Sequence, residues 1–247
     1  MVKKNPPKIN FGILTTFDHP LLPFYLSEIE KKRLKNVSII CDSKIRGKKS
    51  TDIWLQRTQA SFNDRYREEF QLHNYDPQFK FYFVDNHNSV EALKLYSEIN
   101  LNCFLNAGTP RKIGGELIRN SGLGVVNIHP GVLPKYRGSC AVEWAIINDD
   151  QIGNTAHFMN EDYDAGPIID IEKYIFGKVD SYVDIRSRVF MSGIKLAINV
   201  LKLAQDEGTI YSTSQDEKHS DYYSPINNKQ LLQIEQKLQS QQYKFQK

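Results

Sequence analysis

The run Gly124-Val125-Val126-Asn127-Ile128-His129-Pro130-Gly131-Val132-Leu133-Pro134 decides how this chain folds. Its first half is short, apolar and β-branched, with a glycine before it and a Pro-Gly pair after it, which predicts a strand. Side chains two apart on a strand share a face, so Asn127 and His129 point the same way at its carboxyl end. Four similar apolar runs precede it, at 9–14, 37–41, 79–84 and 101–107. Segments of helical periodicity separate them, at 21–34, 52–72 with a break, 90–99 and 113–120. Strand and helix in alternation predict an α/β fold built on a doubly wound, mostly parallel sheet. Ligands bind such sheets at the carboxyl ends of the strands, which makes Asn127 and His129 candidates for chemistry.

Beyond this strand the pattern changes. A short helix is expected over Ala141–Ile147, then two strands at 154–159 and 168–174 whose connecting turn contains Asp164. That hairpin would swing Asp164 over the cleft. Ser181, with Asp184 three residues on, can cap a long amphipathic helix reaching Glu207, with Ile185, Val189, Ile194, Ile198, Leu201 and Leu203 on its apolar stripe. From Gly208 the chain turns polar and ends in a Gln/Lys-rich helix over 228–242. The expected organisation is a catalytic domain over 1–207 and an appendage with a short helix over 208–247, without internal repeats.

Composition narrows the class. At 247 residues, 40% hydrophobic and 25% charged, the chain can bury one substantial core. Cys41, Cys103 and Cys140 lack CxxC spacing and suit a reducing, cytoplasmic setting. The basic start at 1–7 leads into no apolar segment, and no stretch of about eighteen apolar residues occurs, so no membrane partner is expected. A net charge of +3 is mild. Its densest cluster, Lys44, Arg46, Lys48 and Lys49, has no interleaved aromatics and reads as a solvated loop, so no nucleic-acid partner is expected. A polyphosphate-bearing small molecule could still use that cluster. His19, His73, His87, His157 and His219 show no metal-ligand spacing, and no metal is expected.

Asn127-Ile128-His129-Pro130, then Leu133-Pro134-Lys135-Tyr136-Arg137-Gly138, then Asp164-Ala165-Gly166-Pro167, in that order, resemble the signature of formyltransferases that use N10-formyltetrahydrofolate. The resemblance covers roughly 9–190 and is strongest over 101–170. The chain departs from it at Gly131-Val132, where the family commonly has Ser-Leu. The resemblance implies a Rossmann-like core, N10-formyltetrahydrofolate as formyl donor, and Asn127, His129 and Asp164 as the catalytic trio. In that chemistry an amine attacks the formyl carbon and negative charge gathers on the formyl oxygen. Asn127 and His129 would hold that oxygen, while Asp164 orients the imidazole and relays protons. Cys140 follows the motif loop with no neighbouring histidine in a nucleophile pattern, so a thioester route is the weaker idea.

The loop at 106–113 looks like the family loop whose backbone reads the pterin ring, which implies donor contacts at Gly108, Arg111, Lys112 and Ile113. Thr109 and Pro110 stand where the family often has an aromatic and a small or apolar residue. The loop at 159–164 would close the other side, with Glu161 and Tyr163. Family members acting on glycinamide ribonucleotide carry a Gly/Ser-rich phosphate loop after the first strand, where this chain has Thr15-Thr16-Phe17-Asp18-His19-Pro20. Those acting on methionyl-tRNA append a β-barrel, which the 40 residues of 208–247 cannot build. The remaining class formylates nucleotide-linked dideoxyaminosugars, as in O-antigen biosynthesis, and implies a nucleotide-sugar substrate and a homodimer. Tyr136, Arg137, Glu143 and Trp144 are the expected acceptor contacts, with a core position equally open to Trp144. A phosphoribosylglycinamide-type or other small-amine formyltransferase, a formyltetrahydrofolate hydrolase and a non-catalytic folate binder stay open.

Overall fold

A computed structural model of the protein describes residues 7–44, 52–54, 57–58 and 79–247. The residues group into two compact units. In the first, β1 (Phe11–Thr16) and β2 (Val37–Asp42) are buried at every position, as strands covered on both faces must be. They pair in parallel from Phe11 beside Val37 to Thr16 beside Asp42. On the outer side of β2 lies β3 (Lys80–Val84), and on the other side of β1 lies β4 (Cys103–Asn106), both parallel. Next to β4 is β5 (Val125–His129), in a register that sets Asn106 beside Asn127.

Helices α1 (Leu22–Lys31), α2 (Val90–Glu98) and α3 (Gly115–Asn120) belong to this unit. Leu22, Tyr25, Leu26 and Ile29 are the buried stripe of α1, and proline near its start suits a first turn whose N–H groups have no helical partner. Ser89 caps α2 by accepting the Ala92 N–H at 3.1 Å. The expected helix over 113–120 begins two residues later because Ile113 turns into the core.

The second unit includes the described residues of 49–61 and the last two residues of β5. It holds β6 (Arg137–Gly138), α4 (Ala141–Ile147) and the antiparallel pair β7 (Gly153–Phe158) and β8 (Ile168–Lys173). It also takes most of α5 (Tyr182–Glu207), then β9 (Tyr222–Tyr223) and α6 (Asn228–Gln239). Sheet hydrogen bonding runs in the order β3-β2-β1-β4-β5-β7-β8, a mostly parallel, doubly wound arrangement. Ser181 and Asp184 cap α5 reciprocally: the Ser181 N–H donates to the Asp184 carboxylate at 2.8 Å, and the Asp184 N–H to the Ser181 hydroxyl at 3.2 Å.

Two readings change here. Leu203, expected on the apolar stripe of α5, is 57% exposed, because the buried line runs through Ile194, Ala197, Ile198, Leu201 and Ala204. The segment from Ser212 is built into the second unit: Ile234, Leu238 and Tyr243 are buried with Tyr136, Val142, Ile146, Ile185 and Val189, and β9 pairs with β6. Few apolar residues suffice for α6 because Leu231, Ile234 and Leu238 fall on one stripe, and an Asn227/Gln230 capping box starts the helix. The helix ends at Gln239 rather than 242. Residues 52–54 and 57–58 of the expected 52–72 helix are helical; its remainder, Arg46, Lys48, Lys49 and His73 lie outside the described residues.

Candidate active site

The turn between β7 and β8 places Asp164 in a left-handed conformation, with φ 55°, which a short polar side chain adopts more readily than most. Its Oδ1 lies 3.3 Å from His129 Nδ1, and its Oδ2 accepts the Gly138 N–H at 2.9 Å. Gly138 has φ +88°, and a Cβ there would come within 2.5 Å of the Tyr223 carbonyl oxygen, so the motif needs glycine at this point. The other ring nitrogen, His129 Nε2, is 2.5 Å from the carbonyl oxygen of Tyr136. Both neighbours of the ring only accept hydrogen bonds, so whichever ring nitrogen carries a proton meets an acceptor.

The Asp164 backbone is pinned as well. Gln215 Nε2 donates to the Asp164 carbonyl at 2.8 Å and to the Gly166 carbonyl at 2.7 Å. Gln215 Oε1 accepts from Arg137 at 2.7 and 3.1 Å, and Glu217 takes the same guanidinium in a two-pronged pair at 2.8 Å each. The motif arginine therefore holds the acid's turn through a residue beyond 208. Sequence reasoning missed Gln215, since nothing in a polar stretch marks one glutamine among several.

His157 was also missed. A register shift at Ala156/His157 in the β7–β8 pair re-aims its side chain, leaving Nε2 3.8 Å from Asp164 Oδ1 and Nδ1 2.9 Å from the Phe158 carbonyl. Burial, reinforced by the neighbouring His129, pushes the His157 pKa down to about 4, so the ring is neutral at ordinary pH. Burial works to raise the Asp164 pKa, but the His129 hydrogen bond and charge and the Gly138 N–H outweigh it, so the carboxyl titrates below its usual range. The acid is a carboxylate with the His129 ring at 3.3 Å and the His157 ring at 3.8 Å. Behind it the Thr155 hydroxyl donates to the Gly131 carbonyl at 2.6 Å and accepts the Leu133 N–H at 3.1 Å, clamping the motif loop.

Asn127 lies two residues before His129 on β5, and its Oδ1 accepts from Asn106 Nδ2 at 2.9 Å. Asn106 opens the loop expected to read the pterin. Gly108 in that loop has φ +82°, and a Cβ would come within 2.0 Å of the His19 ring, so the backbone lies directly on the imidazole. Arg111 donates to Asp42 and to the Asp85 carbonyl at 2.9 Å each, the Lys112 carbonyl accepts from Asn88 at 2.9 Å, and Ile113 is buried. The Arg111 and Ile113 side chains thus hold the loop. In the 159–164 loop Glu161 is exposed and Tyr163 is 59% exposed, while the neighbouring Asn160 Oδ1 is buried with no hydrogen-bond partner. A buried acceptor without a donor fits the N–H-rich edge of a pterin.

The four expected acceptor residues sit differently. Tyr136 is 1% exposed, with its ring stacked on Tyr223 at 5.1 Å and its hydroxyl bonded to Asp150, so its side chain is core. Glu143, also 1% exposed, accepts the Tyr182 hydroxyl at 2.5 Å and lies 3.5 Å from Arg57 and 3.7 Å from Arg186. Burial would raise its pKa, but the two guanidinium charges hold it below the usual carboxylate range. Trp144 donates to the Ser224 carbonyl at 2.8 Å and packs on Tyr223, and Arg137 is engaged as described. A pocket of about 260 Å³ lies beside Arg57, Ser139, Cys140 and Glu143. Among the described residues, no group of three or more His, Cys, Asp or Glu could hold a metal, and no helix is long and apolar enough to cross a membrane.

Residues 45–201 match the formyl transferase family, and the chain belongs to that family. A methionyl-tRNA formyltransferase from Trichodesmium erythraeum is 29% identical over 139 residues, which are 56% of this chain and 41% of that protein. Matches to such curated relatives span between 32% and 49% of their length. Among solved structures, a sugar N-formyltransferase from Shewanella is similar with a TM-score of 0.60 at 16% identity, over 91% of this chain and 86% of that one. An N-formyltransferase from Helicobacter canadensis, solved with folinic acid and dTDP-3-aminofucose, is similar with a TM-score of 0.55 at 18% identity, over 89% and 72% of the two chains.

Proposed function

We propose that the protein transfers a formyl group from N10-formyltetrahydrofolate to the amine of a nucleotide-linked dideoxyaminosugar. The observation that carries the transfer chemistry is the Asp164 carboxylate, held by the Gly138 N–H and set 3.3 Å from His129 on the strand that also bears Asn127. The folate supplies the formyl group. Gly108, Lys112 and neighbouring main-chain groups of the 106–113 loop would hold its pterin. Asn127 donates its amide to the formyl oxygen as negative charge develops there, a contribution of several kcal/mol in comparable sites, on the order of 2.7–4 per donor. His129 would donate beside it once its Nε2 leaves the Tyr136 carbonyl, and Asp164 keeps the imidazole oriented and relays the proton lost by the attacking amine to the folate nitrogen as its bond to the formyl carbon breaks.

The loop after β1 supports the choice of acceptor. Its N–H groups at His19, Leu21 and Leu22 are already bonded to the Thr16 carbonyl, the His19 ring and the His19 carbonyl, so they do not form a cradle for a ribonucleotide phosphate. A nucleotide on the sugar would supply binding energy remote from the reacting amine, which positions that amine at the formyl carbon. A second reading, transfer to methionyl-tRNA, is favoured by the curated relatives in sequence. Tetrahydrofolate release, followed with each acceptor in turn, separates the readings. Rapid turnover is expected with a nucleotide-linked 3-amino-3,6-dideoxy or 4-amino-4,6-dideoxy hexose. Turnover with glycinamide ribonucleotide or methionyl-tRNA while nucleotide sugars stay inert would overturn the acceptor, and formate release without any acceptor would make the protein a hydrolase.

A further inference from the structure

We propose that Asn106 is a positioning residue that sets the polarity of the Asn127 amide, and that one backbone N–H, that of Thr109, decides it. The inference rests on the formyl-transfer reading above. The side-chain oxygen and nitrogen of a carboxamide are nearly equal in shape, so packing alone cannot tell which end of Asn127 faces a ligand. Hydrogen bonds can. Asn106 Oδ1 accepts the Thr109 N–H at 3.1 Å and lies 3.0 Å from the Thr109 hydroxyl. A backbone N–H only donates, so this end of Asn106 must be its carbonyl oxygen. Its NH₂ is then the end that meets Asn127, donating to Asn127 Oδ1 at 2.9 Å. The Asn127 carbonyl is thereby turned to its neighbour, and its NH₂ is the end presented elsewhere. The parallel register that sets Asn106 beside Asn127 makes the relay possible. A developing negative charge needs that NH₂, whereas a flipped amide would offer it lone pairs.

Neither Asn106 nor Thr109 belongs to the catalytic trio; the main-chain N–H at 109 and the Asn106 carboxamide set the polarity from the turn after β4.

The test is Asn106→Asp, which keeps the shape and removes the donor. The ionised carboxylate still satisfies the Thr109 N–H but can only accept from Asn127, which turns its NH₂ inward. We expect kcat to fall about a hundredfold near pH 8, the effect of losing one well-placed donor, with KM for folate and amine within about twofold. On acidification toward pH 5 the new carboxyl gains a proton it can donate, so the ratio of variant to wild-type rate rises. Asn106→Leu lacks both groups and should lower kcat with no such pH dependence. A ratio near one at pH 8, or a loss that is flat in pH and falls equally on KM, overturns the proposal. A wild-type protein inert with every amine would refute the transfer reading instead. In that case ¹⁵N-edited NMR still reads the relay, since the Asn127 NH₂ resonances should move in Asn106→Asp; if they do not, the relay fails by itself.

Discussion

At the residue scale, an ionised Asp164 faces His129 from a turn that the Gly138 N–H and the Gln215 side chain pin. Asn127→Ala, His129→Ala and Asp164→Ala should each reduce turnover about a hundredfold or more, while folate binding, followed by fluorescence titration, stays within a few-fold. Near-normal rates in two of the three would remove the trio from the mechanism. Glu143 behaves differently. It is buried against Arg57 and Arg186, so Glu143→Gln leaves Arg186 without its charged partner in the interior. Urea unfolding should show a loss of about 3 kcal/mol, the usual scale for breaking a buried pair. An unchanged midpoint would mean the pair is not formed. That Asn127 and His129 share a strand and that Asp164 sits in a turn was legible in the sequence, because a strand and a turn each leave a local mark; the roles assigned to them came from the family resemblance. Asn106, His157 and Gln215 were not legible, since their partners lie 21, 7 and 51 residues away and nothing local announces them.

At the scale of elements, the strand order and the hairpin carrying Asp164 follow from alternation and turn residues that can be read directly. The last helix does not. Its polar composition suggests an exposed arm, yet Ile234 and Leu238 close the core over Ile146 and Val142. Leu238→Ala should therefore cost about 2–5 kcal/mol, as for other buried leucines, and should be read from the chemical-denaturation midpoint. The neighbouring Leu232, which is exposed, serves as control and should shift it by less than about 0.5 kcal/mol on mutation to alanine. Equal effects would return α6 to the surface. The same stretch brings Gln215 to the Asp164 turn, so the chain beyond 208 supports both stability and site geometry.

At the scale of the whole molecule, acid should destabilise the fold near the candidate site. The His157 pKa is about 4 in the folded protein against 6.5 for the free side chain. The unfolded chain therefore takes up the proton first as pH falls, and the native state loses ground between pH 6.5 and 4. The slope is about 1.4 kcal/mol per pH unit, or about 3 kcal/mol across the window. Asp164, whose pKa is depressed, adds to this from below: its contribution is present above the ordinary carboxylate range and is lost as pH falls through its folded value. Melting temperature measured from pH 7 to 4.5 should fall more steeply in the wild type than in His157→Gln. Parallel curves would assign the acid sensitivity to other groups.

Local chemistry was enough to determine the α/β sheet, the motif strand with Asn127 and His129 on one face, and the turn that holds Asp164, because backbone propensity, period-two alternation and Gly/Pro punctuation act over a few residues. Tertiary structure alone decided that Tyr136 and Glu143 are interior, that the polar C-terminal stretch closes a core, and that Asn106 sets the polarity of Asn127. Those outcomes depend on which groups meet across tens of residues, where a buried hydrogen bond or ion pair is worth more than any local preference, and a sequence holds no short-range record of the meeting.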